Sequence, residues 1–596
     1  NQSKIRQALK FFTIFLTVFA FVALFVGSFV IANMFSITQA QRQRENALLR
    51  AIGATSRQVS ATAFIEAAAI GVVGSLIGVV AGIGLAALLK KLLGAFGVDI
   101  PSVGLTLLPR TFVVTVLVGV LITVLAAVFP SLRAGRIRPV EAMRSSAFET
   151  TGSNRRRFIV GMVTLAIGVV CIAIGLFGGE PILFGVGAPV LFISLYVLLP
   201  LISRPVTNII GRPIAATRGI SGRLAVQNSS RSPRRTARTA AALMIGVALV
   251  AGVQVTAASI RASVRDVFGK QFTGDYAVTL QRDGGGPVVF GFNNEFTDSL
   301  NSIDGVEAAA GINVLPATID GKPKRQLTVI NPATVGKVFD LKFEAGNIED
   351  LTADGVVVSR KRADKDKLQM GSTVSVDFGD GTQHTLTVQG IYTEDVLAGS
   401  YTVSRALLEN TAIPLPDFVI FVKRAAGADD AQVAKRLEDA VKANGLGELK
   451  TKTEYIDDQA AQVNQLVNLV NGLLGLSVFI AILGIGATLS LSVLERRREL
   501  GLSRAVGMSR SQVRTMVRWE AVITAVLGTV VGVVVGLLLG YALVAALRSQ
   551  GFTKFSIPVG AIVVMFILAL IIGVVAAFLP ARRATKVNVV ESLAST

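Results

Sequence analysis

Nine segments of this chain are apolar over the roughly 20 residues that a helix needs to cross the ~30 Å hydrocarbon core of a bilayer. They run over residues 11–37, 60–89, 111–132, 158–178, 181–203, 238–260, 466–494, 519–547 and 557–580. The fold class expected is therefore a polytopic α-helical membrane protein with nine spans. Composition agrees: of 596 residues 52% are hydrophobic and 16% charged, against about a quarter charged in soluble proteins. The fourth and fifth segments are separated only by Gly178-Gly179-Glu180-Pro181, a Gly/Pro signal for a tight hairpin.

Lys and Arg number 59 against 39 Asp and Glu, a net charge of +20. In a soluble chain this would suggest nucleic acid; beside membrane spans it marks cytoplasmic loops. Arginines crowd the connections after spans one, three, five and seven, for example Arg133, Arg136, Arg138, Arg144 and Arg155–Arg157, or Arg204, Arg212, Arg218, Arg223 and Arg231. The alternate connections hold few basic residues. Asn1 is thereby placed outside and the tail with Arg582, Arg583 and Lys586 inside, so the charge needs no nucleic-acid partner. Cys171 is the one cysteine and His384 the one histidine. An intramolecular disulfide and a cysteine metal cluster are excluded, and His384, in an expected strand, cannot build a metal site alone.

One soluble insert, from about Arg261 to Ala461, falls outside the cytoplasm and reads as α+β. Val374 to Phe378, Gly379-Asp380-Gly381 and Thr385 to Val388 form a strand–turn–strand pattern. Gly355 to Ser359 and Asp417 to Val422 are further strand candidates. Ala428 to Asn444 has helical spacing, with Val433, Leu437 and Val441 on one stripe.

The segment Arg44 to Gly53 reappears at Arg498 to Gly507, an offset of 454 residues. The same offset carries Thr55 to Ser509, Gln58 to Gln512, Glu66 to Glu520, and Gly74, Gly78 and Gly82 to Gly528, Gly532 and Gly536. Pro130, Ala134, Glu141 and Met143 return as Pro580, Ala584, Glu591 and Leu593, shifted by 450. Two parallel copies of one three-span unit follow. The domains expected are a first unit over 1–144, a membrane hairpin over 145–211, a helix and leading span over 212–263, an external domain over 264–460 and a second unit over 461–596. Only the second copy is preceded by an external domain, so a preceding span and a first external domain are expected in a longer form of the chain.

Within Arg44 to Gly53, Leu48, Ala51 and Ile52 share a helical face while Arg44 and Arg50 project elsewhere. Gly53 suits the left-handed residue that ends this short cytoplasmic helix, and Thr55 with Gln58 is a capping box that starts the next. Gly507, Ser509 and Gln512 repeat the pattern. A capped helix–turn–helix between two spans is rigid, so a push on it moves the spans, as a coupling element requires. An interfacial helix whose arginines hold lipid phosphates is the simpler reading, and the recurrence beside a second repeat argues against it. The glycines spaced by four allow two membrane helices to approach closely. Glu66 and Glu520 are expected near the cytoplasmic interface, paired with an arginine of the coupling segment; a proton path is the alternative.

The duplicated R-E-x-x-x-x-R-A-x-G segments, with the Pro130 and Pro580 exits, resemble the FtsX-like permeases, the MacB and LolCDE group of type VII ABC transporters. Leu224 to Asn228 with Arg231 to Arg235 resembles the family's elbow helix. Val357–Ser359, Gly371–Val376 and Val388–Ile391 resemble the MacB-type periplasmic core domain, and the hairpin over 158–203 resembles the long ten-span subfamily.

The resemblance implies a permease of the bacterial cytoplasmic (inner) membrane, driven by a separate ABC ATPase and coupled through Arg44, Glu45, Arg50, Ala51, Gly53, Arg498, Glu499, Arg504, Ala505 and Gly507. ATP and Mg would belong to that partner, because the chain has no G-x-x-x-x-G-K-[ST] loop. It also implies mechanical transmission to the external domain, extruding a lipoprotein, lipid, peptide or hydrophobic compound, with one permease chain per ATPase dimer. A regulator or receptor that activates a cell-wall enzyme is the main alternative. A secondary transporter would need inverted repeats, and the insert offers no nucleophile, His and acid at recognisable spacing.

Overall fold

The computed structural model describes residues 24, 27–28, 31–32, 34–36, 38–39, 42–95, 109–135, 154–178, 181–280, 291–378, 383–393, 399–408, 416–548 and 552–585. Most of the expected first span, the Gly379-Asp380-Gly381 turn, and Glu141, Met143, Glu591 and Leu593 lie outside the described residues. The chain begins its described course with α1 (Gln43–Ala51), α2 (Ser56–Ala95) and α3 (Pro109–Gly135). A hairpin of α4 (Asn154–Phe177) and α5 (Pro181–Thr217) follows, then α6 (Gly219–Arg231) and α7 (Pro233–Gln271). Pro233 stands in the first turn of α7, where its missing N–H is not needed. At 39 residues α7 is about 58 Å long. That exceeds a bilayer core, so it carries the chain out of the membrane and into the external domain.

The external domain holds β1 (Tyr276–Leu280), α8 (Asn294–Asn301), β2 (Val306–Ile319), β3 (Lys322–Ile330), α9 (Pro332–Val338), β4 (Phe343–Ala345), β5 (Gly355–Ser359) and α10 (Arg360–Asp366). It continues through β6 (Thr373–Asp377), β7 (Gln383–Tyr392), β8 (Tyr401–Ser404), β9 (Val419–Arg424), α11 (Asp430–Asn444) and β10 (Gly447–Thr451). Its mixed sheet runs β10-β1-β9-β2-β3-β8-β5-β7-β4, with β6 joining β2 and β7. The 14-residue β2 pairs β9 along its first half and β3 along its second, joining two cores. One core packs Val433, Leu437 and Val441 of α11 with Val278, Ile420 and Val422. The other gathers Leu327, Val356, Val374, Leu386 and Val403.

From β10 the chain enters α12 (Lys452–Glu495), then α13 (Arg497–Ala505), α14 (Arg510–Leu547), α15 (Val559–Ala576) and α16 (Phe578–Thr585). A capping box starts α12: the Thr451 side chain accepts from the Glu454 N–H, and the Glu454 side chain accepts from the Thr451 N–H.

Among the described residues, seven helical stretches are long and apolar enough to cross a membrane: in α2, α3, α4, α5, α7, α14 and α15 running into α16. A shorter apolar stretch, Ile482–Leu494, ends α12. The expected count of nine is thus not reached among the described residues. The expected seventh span is not an element of its own but the far part of a 44-residue helix rooted in the sheet. Likewise α5 runs beyond the expected end at 203 and contains Pro189, Pro200, Pro205 and Pro213. The fold is a helical membrane protein with an external mixed-sheet domain held on two long helices.

Candidate functional site

The duplicated segments fold alike. Gly53 and Gly507 take φ of 108° and 109°, values that favour glycine, and end α1 and α13. The Gly53 N–H donates to the Arg50 carbonyl at 3.2 Å, and the Gly507 N–H to the Arg504 carbonyl at 3.1 Å. Both turns are followed by a reciprocal cap. The Gln58 N–H donates to the Thr55 hydroxyl at 3.3 Å while Gln58 Oε1 accepts from the Thr55 N–H at 2.8 Å. Ser509 and Gln512 do the same at 3.2 and 2.8 Å.

The outward face is also duplicated. Leu48 and Leu502 are 57% and 56% exposed, and Ile52 and Val506 are 83% and 82% exposed. With the exposed Ala51 and Ala505, each copy shows an apolar triad at three- and four-residue spacing. Each short helix has one buried apolar anchor, Ala47 in α1 and Leu500 in α13, and Leu500 packs with Val513, Met516 and Ala584. Glu45, Arg498 and Glu499 are exposed, and an Arg504 Nη donates to the Thr585 carbonyl at 3.5 Å. Arg44 lies in α1.

Each of these short helices is tied at its head to the following span. Arg42, the N-cap of α1, bonds Glu66 at 2.8 Å. Arg496, the N-cap of α13 at the same offset, lies 3.6 Å from Glu520. The second copy carries an additional arm, because Arg235 of α7 bonds Glu520 at 3.0 Å. Arg496 also donates to Glu499 at 2.8 Å. The chain of charges α13–Glu520–α7 thus joins the short helix to the helix that enters the external domain. Nothing local in the sequence pairs Arg235 with a residue 285 positions away.

The glycines divide by copy. A Cβ on Gly528, Gly532 or Gly536 would meet Ala240, Met244 or Ala248 and Ala251 of α7, so α14 and α7 are in backbone contact. At Gly74, Gly78 and Gly82 nothing lies within 4 Å among the described residues. In the first copy the close approach is instead at Gly71, against Thr123 and Val120, and at Gly119, against Ser75. Neither glycine belongs to the four-residue spacing of Gly74, Gly78 and Gly82.

At the other end of α7 and α12, a joint fastens the stalk to the sheet. Lys452 Nζ donates to the Phe272 carbonyl and lies over its ring at 5.5 Å. Tyr455 stacks edge-on with Phe268 at 5.7 Å and with Phe421 at 5.2 Å, and burial pushes its hydroxyl up to about 12. Arg265 of α7 bonds Asp457 of α12 at 2.9 Å. The loop before α15 is strapped to α7, since the Ser556 and Lys554 N–H groups donate to Ser259 and Ser263 at 3.0 Å each. No group of three or more His, Cys, Asp or Glu able to hold a metal occurs among the described residues.

Two units of like helices, each with a short capped helix and the second continuing through a stalk into an external sheet domain, define the class: a helical membrane protein with an external mixed-sheet domain. Family comparison agrees with the class. The FtsX-like permease C-terminal family matches residues 17–139 and 471–589, and the MacB-like periplasmic core domain matches 236–440. The chain belongs to the FtsX-like permeases that carry a MacB-like periplasmic core domain.

It is 24% identical over 552 residues to an uncharacterized ABC transporter permease protein of Mycobacterium tuberculosis, covering 86% of this chain and 61% of that one. It is 29% identical over 148 residues to the macrolide export ATP-binding/permease protein MacB of Bdellovibrio bacteriovorus, covering 24% of this chain and 22% of the relative. The chain thus spans less than two thirds of the length of these relatives. The crystal structure of the periplasmic region of MacB from Actinobacillus actinomycetemcomitans is 13% identical, with a TM-score of 0.26, covering 34% of this chain and 97% of that one.

Proposed function

We propose that this chain is the permease subunit of an ABC transporter, in which a separate ATPase docks on α1 and α13 and its movements reach the external domain through α7 and α12. The cargo class is a lipoprotein, lipid, peptide or hydrophobic compound, moved by the external domain and not through a continuous membrane channel. The observation that carries this reading is the pair of apolar triads, Leu48/Ala51/Ile52 and Leu502/Ala505/Val506, matched in exposure across the duplication. Exposed apolar residues on a capped, charged helix suit a protein partner, and two copies in one chain suit the two halves of one ATPase dimer. ATP and Mg are bound by that partner.

The test replaces Ile52 and Val506 together by Asp. Both side chains are more than four-fifths exposed, so the fold should be retained. The variant is expected to lose co-purification with its ATPase and the stimulation of ATP hydrolysis. Normal binding and stimulation by the variant would remove the coupling role from these helices.

A further inference from the structure

Residues 140–235 lie outside both family matches, and the coupling reading gives the α4–α5 hairpin and α6 no task. We propose that α4, α5 and α6, the described helices of this segment, present a binding surface for anionic phospholipid headgroups in the leaflet opposite the external domain.

The first observation is charge without compensation. No Asp or Glu occurs between Glu180 and Asp266, and no Lys between Lys91 and Lys270, so every cation of the segment is an arginine. Arg155 and Arg156 at the start of α4, Arg204 and Arg212 on α5, and Arg223 and Arg231 on α6 are all exposed. Among the described residues none of these six forms a salt bridge with a carboxylate, and Arg204 donates to the Ser230 carbonyl at 3.3 Å; Arg235, by contrast, is paired with Glu520. A guanidinium fork matches phosphate oxygens bidentately.

The second observation is where they sit. Because α7 begins at Pro233 and ends in the external domain, the arginines that precede it lie at the far face of the membrane. On α6, Ile220, Arg223, Gln227 and Arg231 form one exposed stripe at three- and four-residue spacing, while Ser221, Gly222, Ala225 and Ser229 are buried. Gly211 and Gly222 allow this helix to fold tightly back on α5. Exposed apolar side chains accompany the arginines: Phe158 at 54%, Ile209 at 65% and Ile220 at 69%. Cations interleaved with apolar groups at the end of a span suit headgroups above and acyl chains beside them, whereas an acidic protein would leave the apolar groups uncovered.

The surface would also bear on the moving parts. The hairpin packs Ile172, Leu191 and Leu199 against Ala237, Ala241 and Ile245 of α7. Bound lipid would therefore brace the stalk helix from the side.

Trp519 is the one tryptophan of the chain, and the Arg218 guanidinium lies 5.4 Å from its ring centroid, which makes it a reporter for this corner. The full chain is placed in nanodiscs with phosphatidylglycerol or phosphatidylcholine brominated on the acyl chains, at equal mole fraction. Wild-type Trp519 fluorescence should be quenched in preference by the anionic lipid, with an enrichment of roughly fivefold for each arginine engaged. The variant Arg212→Gln/Arg223→Gln/Arg231→Gln should lose that preference while keeping the wild-type elution volume, and Arg212→Lys/Arg223→Lys/Arg231→Lys should keep part of it. Equal quenching by both lipids in wild type would overturn the proposal, as would an undiminished preference in the Gln variant. Relief of the preference by inorganic phosphate would show a free-anion site and overturn the assignment to lipid.

Discussion

Asp366 and Glu520 show what single carboxylates do in the two halves of this molecule. Asp366 bonds Arg362 at 2.8 Å, Lys322 at 3.0 Å and the Tyr401 hydroxyl at 2.7 Å, at the edge of the external domain where the Arg362 side chain is buried and that of Lys322 is half exposed. Burial raises its pKa, but the Tyr401 and Lys322 hydrogen bonds and the Arg362 charge outweigh this and hold it below the ordinary 3.8. A depressed carboxylate contributes stability above its unfolded pKa and loses it as pH falls through the folded one. Asp366→Asn should therefore destabilise the domain at neutral pH by about 3 kcal/mol, and the gap to wild type should close as pH drops below 3.8. Denaturant unfolding across pH checks this; a gap independent of pH would contradict it. Glu520 is 8% exposed and faces two arginines, whereas Glu66 is 31% exposed and bonds Arg42. Glu520→Gln should cost about 3 kcal/mol by stranding buried charge, and Glu66→Gln less than about 1 kcal/mol. Thermal unfolding in detergent distinguishes them, and equal losses would argue against a special node at Glu520.

At the scale of elements, local pattern was a good guide. The strand at Gly355 to Ser359 is β5, the stripe Val433, Leu437 and Val441 is the buried face of α11, and both capping boxes form. Each was legible because its signal sits within a few residues. Other strands were not: β2 runs through Ala308, Ala309, Ala310 and Gly311 without alternation, and β3 begins with Lys322, Lys324 and Arg325. Their partners make them strands. The duplicated capped helices could be singled out because the sequence repeats them, yet the Arg235–Glu520 arm and the Lys452–Phe272 joint required the folded chain. Nor could sequence tell which glycine stripe meets a helix. Gly536→Val should lower the thermal midpoint clearly, because its Cβ would meet Ala248 and Ala251 of α7, while Gly78→Val should change it little. Equal shifts would mean that the two stripes have equivalent neighbours.

For the whole molecule, the long helices make the account mechanical. Both α7 and α12 pass from membrane into the external domain without a break; Lys452 and Arg265 fasten the two helices to each other, and Tyr455 packs on Phe421 of the sheet. A displacement at α13 has a path through Arg496, Glu520 and Arg235 into α7 and so to the external domain. The two units contribute unequally, since this path exists among the described residues only in the second. Polarity, span length and repetition revealed the architecture, but the asymmetry between the two repeated units depends on which surfaces meet.

The most direct measurement is site-specific cross-linking to the ATPase. With Cys171 replaced by Ser, Ile52→Cys and Val506→Cys are introduced singly into the full chain, and each is treated with a short bifunctional reagent in the assembled complex. The account predicts an ATPase cross-link from both positions, with both nucleotide-binding subunits captured when the two cysteines are combined. Failure of both positions to reach the ATPase in an intact, hydrolytically active complex would contradict it.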